Sequence, residues 1–129
     1  MGYHGPISPD ERAAQIAALN DALRTNIGNP QGSNCVVMSR GVAELIEDSD
    51  KQPFWIDMGA LKRIVSSYSA FDEDNNPWGE RDFGSFRFKG TKCFFKIDYY
   101  ASDMVHGSDD PANPDVTARV LTIATMAEY

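Results

Sequence analysis

Two alternating segments around a glycine constrain this chain more than any other feature. Apolar and charged residues alternate from Gly84 to Lys89 and again from Lys92 to Tyr100, and aromatic rings are frequent among them. Such alternation predicts two half-buried strands, which a two-residue type II′ turn at Gly90-Thr91 would join into a hairpin. Side chains alternate between faces along a strand, so one face must be the core. The residues predicted to face the core are Phe86, Phe88, Cys93, Phe95, Ile97 and Tyr99.

The opposite face of the hairpin is basic and aromatic in an otherwise acidic chain. It carries Arg87, Lys89, Lys92 and Lys96, and the predicted turn places Arg87 across from Phe94, where the two side chains stack. Two interpretations stay open. The face is either solvated, with lysines that discourage edge pairing, or a strip that binds phosphate, single-stranded nucleic acid or an acidic partner.

Composition favours a single cytoplasmic domain. The chain has 129 residues, of which 42% are hydrophobic, and its net charge is −7. This size suits one core, and the negative charge disfavours nucleic acid and anionic membranes as partners. Cys35 and Cys93 indicate reduced thiols rather than a disulfide framework, and no apolar run reaches the length of a membrane span. Residues 1–7 are expected to form a flexible arm and residues 8–129 the domain.

The remaining segments predict helices packed on a sheet. Ser8 and Pro9 start a helix that should run to Thr25, with Arg24 outside its apolar stripe. Asp57 is a plausible cap for another helix. The fold class is α+β, a mainly antiparallel sheet of about four strands with two or three helices on one face. Further predicted segments are a strand over 34–38, a short helix capped by Ser39, a helix over about 57–70, and a strand or helix over 116–129.

Three carboxylates are the best candidates for chemistry. The predicted register sets Phe83 against Asp98, so that Glu80 or Asp82 could converge with Asp98 as an acid–base pair or hold a divalent metal. The competing interpretation is that Arg81 pairs with a carboxylate and merely anchors the loop. Histidines and cysteines lack the spacing of zinc ligands. We therefore predict no metal, no cofactor and no catalytic residue.

Trp78 is the strongest single candidate for a binding contact. It lies between Pro77 and Gly79 in a turn-rich loop, and an indole in a loop is costly to leave in water. It either anchors a partner or plugs one end of the core. The nearby spacing of Asp72, Asp74 and Asn76 is similar to a calcium loop, but the glycine and the bidentate glutamate of such a loop are missing.

Several strings together resemble an uncharacterised domain-of-unknown-function family that is frequent in alphaproteobacterial genomes, plasmids and mobile elements. The strings are LNDALR (19–24), SRGVAEL (39–45), NNPWGERDFG (75–84), KIDYY (96–100) and GSDDPANPDVTARVLTIATMAEY (107–129). This chain departs from the family pattern at Asn76, Ala101 and Asn113, where Asp is usual, and at Arg81, where His is usual. The resemblance implies an accessory protein of mobile DNA, and the departures weaken any enzymatic interpretation.

These observations lead to one main hypothesis and two alternatives. The main one is a non-catalytic accessory protein that binds a basic, nucleic-acid-binding protein, for example as an inhibitor of a host defence complex. The alternatives are a small metal-dependent hydrolase or nuclease using Glu80, Asp82 and Asp98, and single-stranded nucleic-acid binding by the hairpin. The predicted interaction residues are Trp78, Glu80, Arg81, Asp82, Arg87, Lys89, Phe94 and Lys96.

Overall fold

The structure, a computed structural model, describes residues 7–129. The predicted arm lies outside these residues except for Ile7, which is exposed. The helices are α1 (Pro9–Thr25), α2 (Arg40–Leu45) and α3 (Phe54–Ser66), and the strands are β1 (Cys35–Met38), β2 (Phe83–Phe88), β3 (Thr91–Tyr100) and β4 (Ala118–Thr125). Short 3₁₀ turns cover Pro114–Val116 and Met126–Glu128.

The four strands form one mixed sheet in the order β1-β4-β3-β2. β2, β3 and β4 are antiparallel neighbours, whereas β1 runs parallel to β4. The predicted α+β class with a mainly antiparallel sheet is confirmed. Of the two alternatives for the C-terminal run, the strand is observed over Ala118–Thr125, and it is followed by a 3₁₀ turn over Met126–Glu128.

The hairpin forms as predicted, but its turn lies one residue earlier. Phe88 pairs with Thr91 and Arg87 with Lys92, so the turn residues are Lys89 and Gly90. Both have positive φ, at 51° and 78°, which is the signature of a type I′ turn. The predicted stacking of Arg87 on Phe94 is therefore wrong. The strand residues stay on their predicted faces of the hairpin, because the observed pairing of β2 with β3 differs from the predicted one by an even number of positions.

The core lies between the three helices and the inner face of the sheet. On that face Phe88, Cys93, Phe95 and Ile97 are buried as predicted, whereas Phe86 and Tyr99 are half-buried. The helices, the segment after α1 and β4 supply the remaining members of the same apolar cluster. These are Leu23 of α1, Ile27 just after it, Val42 of α2, Leu61 and Val65 of α3, and Leu121 and Ile123 of β4.

The start of α1 is set by its cap as predicted, but the start of α3 is not. Ser8 accepts a hydrogen bond from the Glu11 backbone N–H at 3.1 Å. α3 begins at Phe54, after Pro53, whose side chain makes no capping bond. Asp57, predicted as the cap, instead binds Lys89 Nζ at 2.8 Å from the first turn. That bond is the main cause of a lowered Asp57 pKa.

The C-terminal 3₁₀ turn closes over α2. The Glu128 carboxylate accepts hydrogen bonds from Ser39 Oγ at 2.6 Å, the Thr125 N–H at 2.8 Å and the Gly41 N–H at 3.0 Å. The bond from Ser39 is the largest cause lowering the pKa of Glu128 to about 2. A Cβ at Gly41 would lie 2.5 Å from Glu128 Oε1, so a larger residue there would displace the Glu128 carboxylate from its present position.

Candidate functional site

The Trp78 loop connects α3 to β2 and presents the indole to solvent. Trp78 is 79% exposed, so it does not plug the core. Gly79 and Arg81 both take positive φ, at 73° and 56°. Asn76 stabilises this conformation, because its side chain accepts the Arg81 N–H at 2.8 Å. The loop is thus held by its own hydrogen bonds while its largest apolar side chain remains free.

Beneath this loop lies a buried polar network that joins distant parts of the chain. The Tyr99 hydroxyl donates to Glu80 Oε1 at 2.8 Å and accepts from Asn20 Nδ2 at 2.8 Å. Asn20 Nδ2 also donates to the Glu80 carbonyl at 3.0 Å. On its other side, Asn20 Oδ1 accepts from Arg119 Nε at 2.8 Å, and Arg119 also donates to the Pro111 carbonyl. Asn20 is 0% and Arg119 1% exposed, so these bonds satisfy groups that water cannot reach.

Burial also shifts the proton affinities within the network. It is the largest cause raising the pKa of Tyr99 and the largest cause lowering the pKa of Arg119. The Tyr99 hydroxyl therefore stays protonated and donates to Glu80.

A second buried cation ties α1 to the end of α3. Arg24 donates to Asp21 Oδ1 at 2.6 Å and to the carbonyls of Val65 and Tyr68 at 3.1 and 3.0 Å. Arg24 is 3% exposed, so the expectation that it lies outside the apolar stripe is wrong. Asp21 Oδ2 also accepts from Arg81 at 3.0 Å. Arg81 therefore pairs with a carboxylate as the anchoring interpretation predicts, and that carboxylate is Asp21 of α1.

Two of the three carboxylates of the catalytic alternative are bound to partners of their own. Glu80 is bound by Tyr99, and Asp98 pairs with Lys96 at 2.9 Å on the outer face of the sheet. Phe83 pairs with Lys96 rather than with Asp98, so the register behind the predicted convergence is wrong. Burial raises the Asp82 pKa, and the charges of Glu80 and Asp98 raise it further. Within residues 7–129, no three His, Cys, Asp or Glu side chains are grouped to hold a metal ion.

The basic strip on the hairpin is smaller than its sequence indicates. Lys89 turns away to Asp57, and Lys96 is paired with Asp98. Phe94 is 3% exposed, because its ring packs between Phe83 and Tyr129. Phe94 therefore offers no free ring beside the exposed cations Arg87 and Lys92, whereas Tyr129, which packs against it, is 81% exposed. The hypothesis of single-stranded nucleic-acid binding by the hairpin face thus loses Phe94 as a ring for base stacking.

Sequence reasoning missed both the network and a second exposed apolar patch. Asn20 lies on the stripe of Ile16 and Leu23, and a polar residue within an apolar stripe indicates a buried hydrogen-bond partner. Phe54, Trp55 and Ile56 are 51%, 61% and 52% exposed at the start of α3. Three consecutive residues of a helix cannot all face the same core, so an apolar run of this length in a helix indicates an exposed apolar patch.

None of the helices within residues 7–129 combines the length and hydrophobicity needed to cross a bilayer.

In comparison with known proteins, the chain matches the model of the family described as protein of unknown function (DUF3768) over residues 38–128. No curated protein and no solved structure matches the chain. The matched range is more than half of the chain and includes Glu80, Tyr99 and Arg119 of the network. The chain therefore belongs to the DUF3768 family of proteins of unknown function.

Proposed function

We propose that this protein is a non-catalytic binding protein that engages a basic surface of another protein through the end of the sheet that carries Trp78. The observation that carries the proposal is the indole itself, 79% exposed on a loop whose backbone is fixed. Tryptophan is prominent among residues that dominate binding energy, and a preorganised loop loses little entropy when it binds.

The charge around Trp78 supports a basic partner. Residues 72–82 contain five carboxylates and one arginine, and residues 101–115 contain four carboxylates and neither lysine nor arginine. Both segments lie at the same end of the sheet, because one precedes β2 and the other follows β3, its antiparallel neighbour. Arg12 offsets part of this charge through its ion pair with Asp110 at 2.8 Å. A negative field of this kind attracts basic surfaces and raises association rates.

The network beneath the loop supports binding rather than catalysis. Glu80 and Arg81 are two of the predicted interaction residues. The Glu80 carboxylate is bound by Tyr99, and the Arg81 guanidinium is bound to Asp21. Their role in this proposal is to hold Trp78 and Asp82 in position at the surface. A cytoplasmic location, a partner that binds nucleic acid, and an accessory role in mobile DNA complete the proposal. These last points rest on composition and family resemblance.

Affinity purification from a bacterial lysate with matched variants tests the proposal. Trp78→Ala should lose the specifically bound protein, whereas Trp55→Ala, which removes an equally large exposed ring at the other end of the sheet, should retain it. Binding should weaken as ionic strength rises from about 0.05 M to about 0.5 M, because the attraction between opposite charges is screened. Equal recovery by both variants, or recovery that ignores salt, would refute the proposal.

A further inference from the structure

The edge of the sheet formed by β1 has a free side. β1 is the outermost strand, and among the described residues it pairs only with β4. Its Val37 and Met38 are 43% and 37% exposed. An unpaired edge with exposed apolar side chains is a template for a further strand.

The hydrogen bonds of β1 show which backbone groups are free. The Ser39 N–H donates to the Ile123 carbonyl of β4 at 2.9 Å. In a parallel pair the residues whose backbone groups face the neighbour alternate with those that face away. The backbone N–H and C=O groups of Val37 therefore face β4, as the N–H of Ser39 does. The backbone N–H and C=O groups of Val36 and Met38 point away from the sheet.

A groove lies directly beside these free groups. Its volume is about 340 Å³, and it runs between β1 and α3. Val36 and Met38 line it from the strand, and Met58 and Leu61 line it from the helix. The two residues that expose their backbone groups are thus both among the residues that line the groove. A strand added to this edge would direct every second side chain into the groove.

One charge at the groove further defines the occupant. Lys62 is the only charged residue of the lining, and it forms no ion pair with any of residues 7–129. We propose that β1 and this groove bind an extended apolar segment of a partner protein as a fifth strand, with a carboxylate of that segment facing Lys62. This site is separate from the Trp78 surface and does not depend on the function proposed above.

A phage-displayed library of random peptides of about seven residues, the length of an ordinary strand, is a direct probe. The wild-type protein should enrich peptides with apolar residues at alternate positions and one acidic residue. A fluorescently labelled copy of an enriched peptide then compares Met38→Pro with Met38→Ala. Both variants lose the side chain, but only proline lacks the outward N–H, so Met38→Pro should bind about tenfold more weakly than Met38→Ala.

A charge reversal provides an independent readout should proline disturb the strand. Lys62→Glu should lose the acidic peptides and enrich basic ones, whereas Lys51→Glu, an exposed charge outside the groove, should leave the selection unchanged. Failure to enrich any peptide, or selection unaffected by both Met38→Pro and Lys62→Glu, would overturn the proposal. A dimer of this chain that Met38→Pro dissociates would overturn it as well, since a second copy would then occupy the edge.

Discussion

Replacing Tyr99 by phenylalanine tests whether the buried network stabilises the fold. The ring keeps its shape, while the hydroxyl that contacts Glu80 and Asn20, each at 2.8 Å, is removed. The amide of Asn20 loses an acceptor in a site with no access to water. Tyr100 offers a matched control, because its hydroxyl makes no side-chain hydrogen bond within residues 7–129 and the same substitution there removes no such contact.

The expected loss follows from the two bonds. A neutral hydrogen bond contributes about 0.5–1.5 kcal/mol and one to a charged group about 1.5–3 kcal/mol. Glu80 is half-buried, so we take the lower part of the second range. Tyr99→Phe should then lower the free energy of unfolding by about 2 kcal/mol, which for a domain of this size lowers Tm by about 7 °C.

Urea denaturation followed by circular dichroism measures this difference. The midpoint should fall for Tyr99→Phe with an unchanged slope, whereas Tyr100→Phe should stay within about 0.5 kcal/mol of the wild type. A loss below about 0.5 kcal/mol for Tyr99→Phe, or equal losses for both variants, would show that the network does not stabilise the fold in this way.

Three further predictions concern the C-terminal contact and the carboxylates. Gly41→Ala should lower Tm, because the added methyl group displaces the Glu128 carboxylate. Gly59 is a control in a helix with open space around it, and Gly59→Ala should stabilise the fold by about 0.5–1 kcal/mol. A rise in Tm for Gly41→Ala would contradict the prediction. The pKa of Glu128 falls from 4.5 to about 2 on folding, so its contribution to stability is complete above pH 4.5 and is lost as pH falls towards 2. Glu128→Gln should flatten the pH dependence of Tm in that window, and an unchanged acid profile would exclude the assignment. Calorimetric titration with Mg²⁺ or Mn²⁺ should release no heat of binding, because Glu80 and Asp98 are already paired; saturable binding lost in Glu80→Gln would revive the hydrolase alternative.

Local sequence signals predicted which helices and strands form better than they predicted where those elements begin and turn. The cap at Ser8 set the bounds of α1, since a side-chain cap is visible in sequence. The start of α3 was missed because Pro53 caps without a side-chain bond, while Asp57 has the residue type of a cap but binds Lys89. The hairpin faces followed from alternation, but its turn did not, because a lysine with positive φ is uncommon and the sequence pairs glycine with either neighbour equally well.

The candidate site was less predictable because its contacts join distant segments. Trp78 and the anchoring of Arg81 could be proposed from the loop alone. The network could not, since Asn20, Tyr99 and Arg119 meet only when a helix and two strands are assembled. Periodicity identifies the apolar stripe of a helix, but it does not say which polar group on another element will satisfy Asn20.

The position of Asn20 also bears on where the folding unit begins. The family match starts at residue 38, yet α1 supplies the amide that bonds Tyr99, the Glu80 carbonyl and Arg119. A fragment cut at residue 38 would remove the Asn20 partner of Arg119 and Tyr99 from a buried site, and would leave Leu61 and Val65 without α1, whose Leu23 belongs to the same apolar cluster. The piece of this protein that folds on its own is therefore expected to extend upstream of the matched range and to include α1.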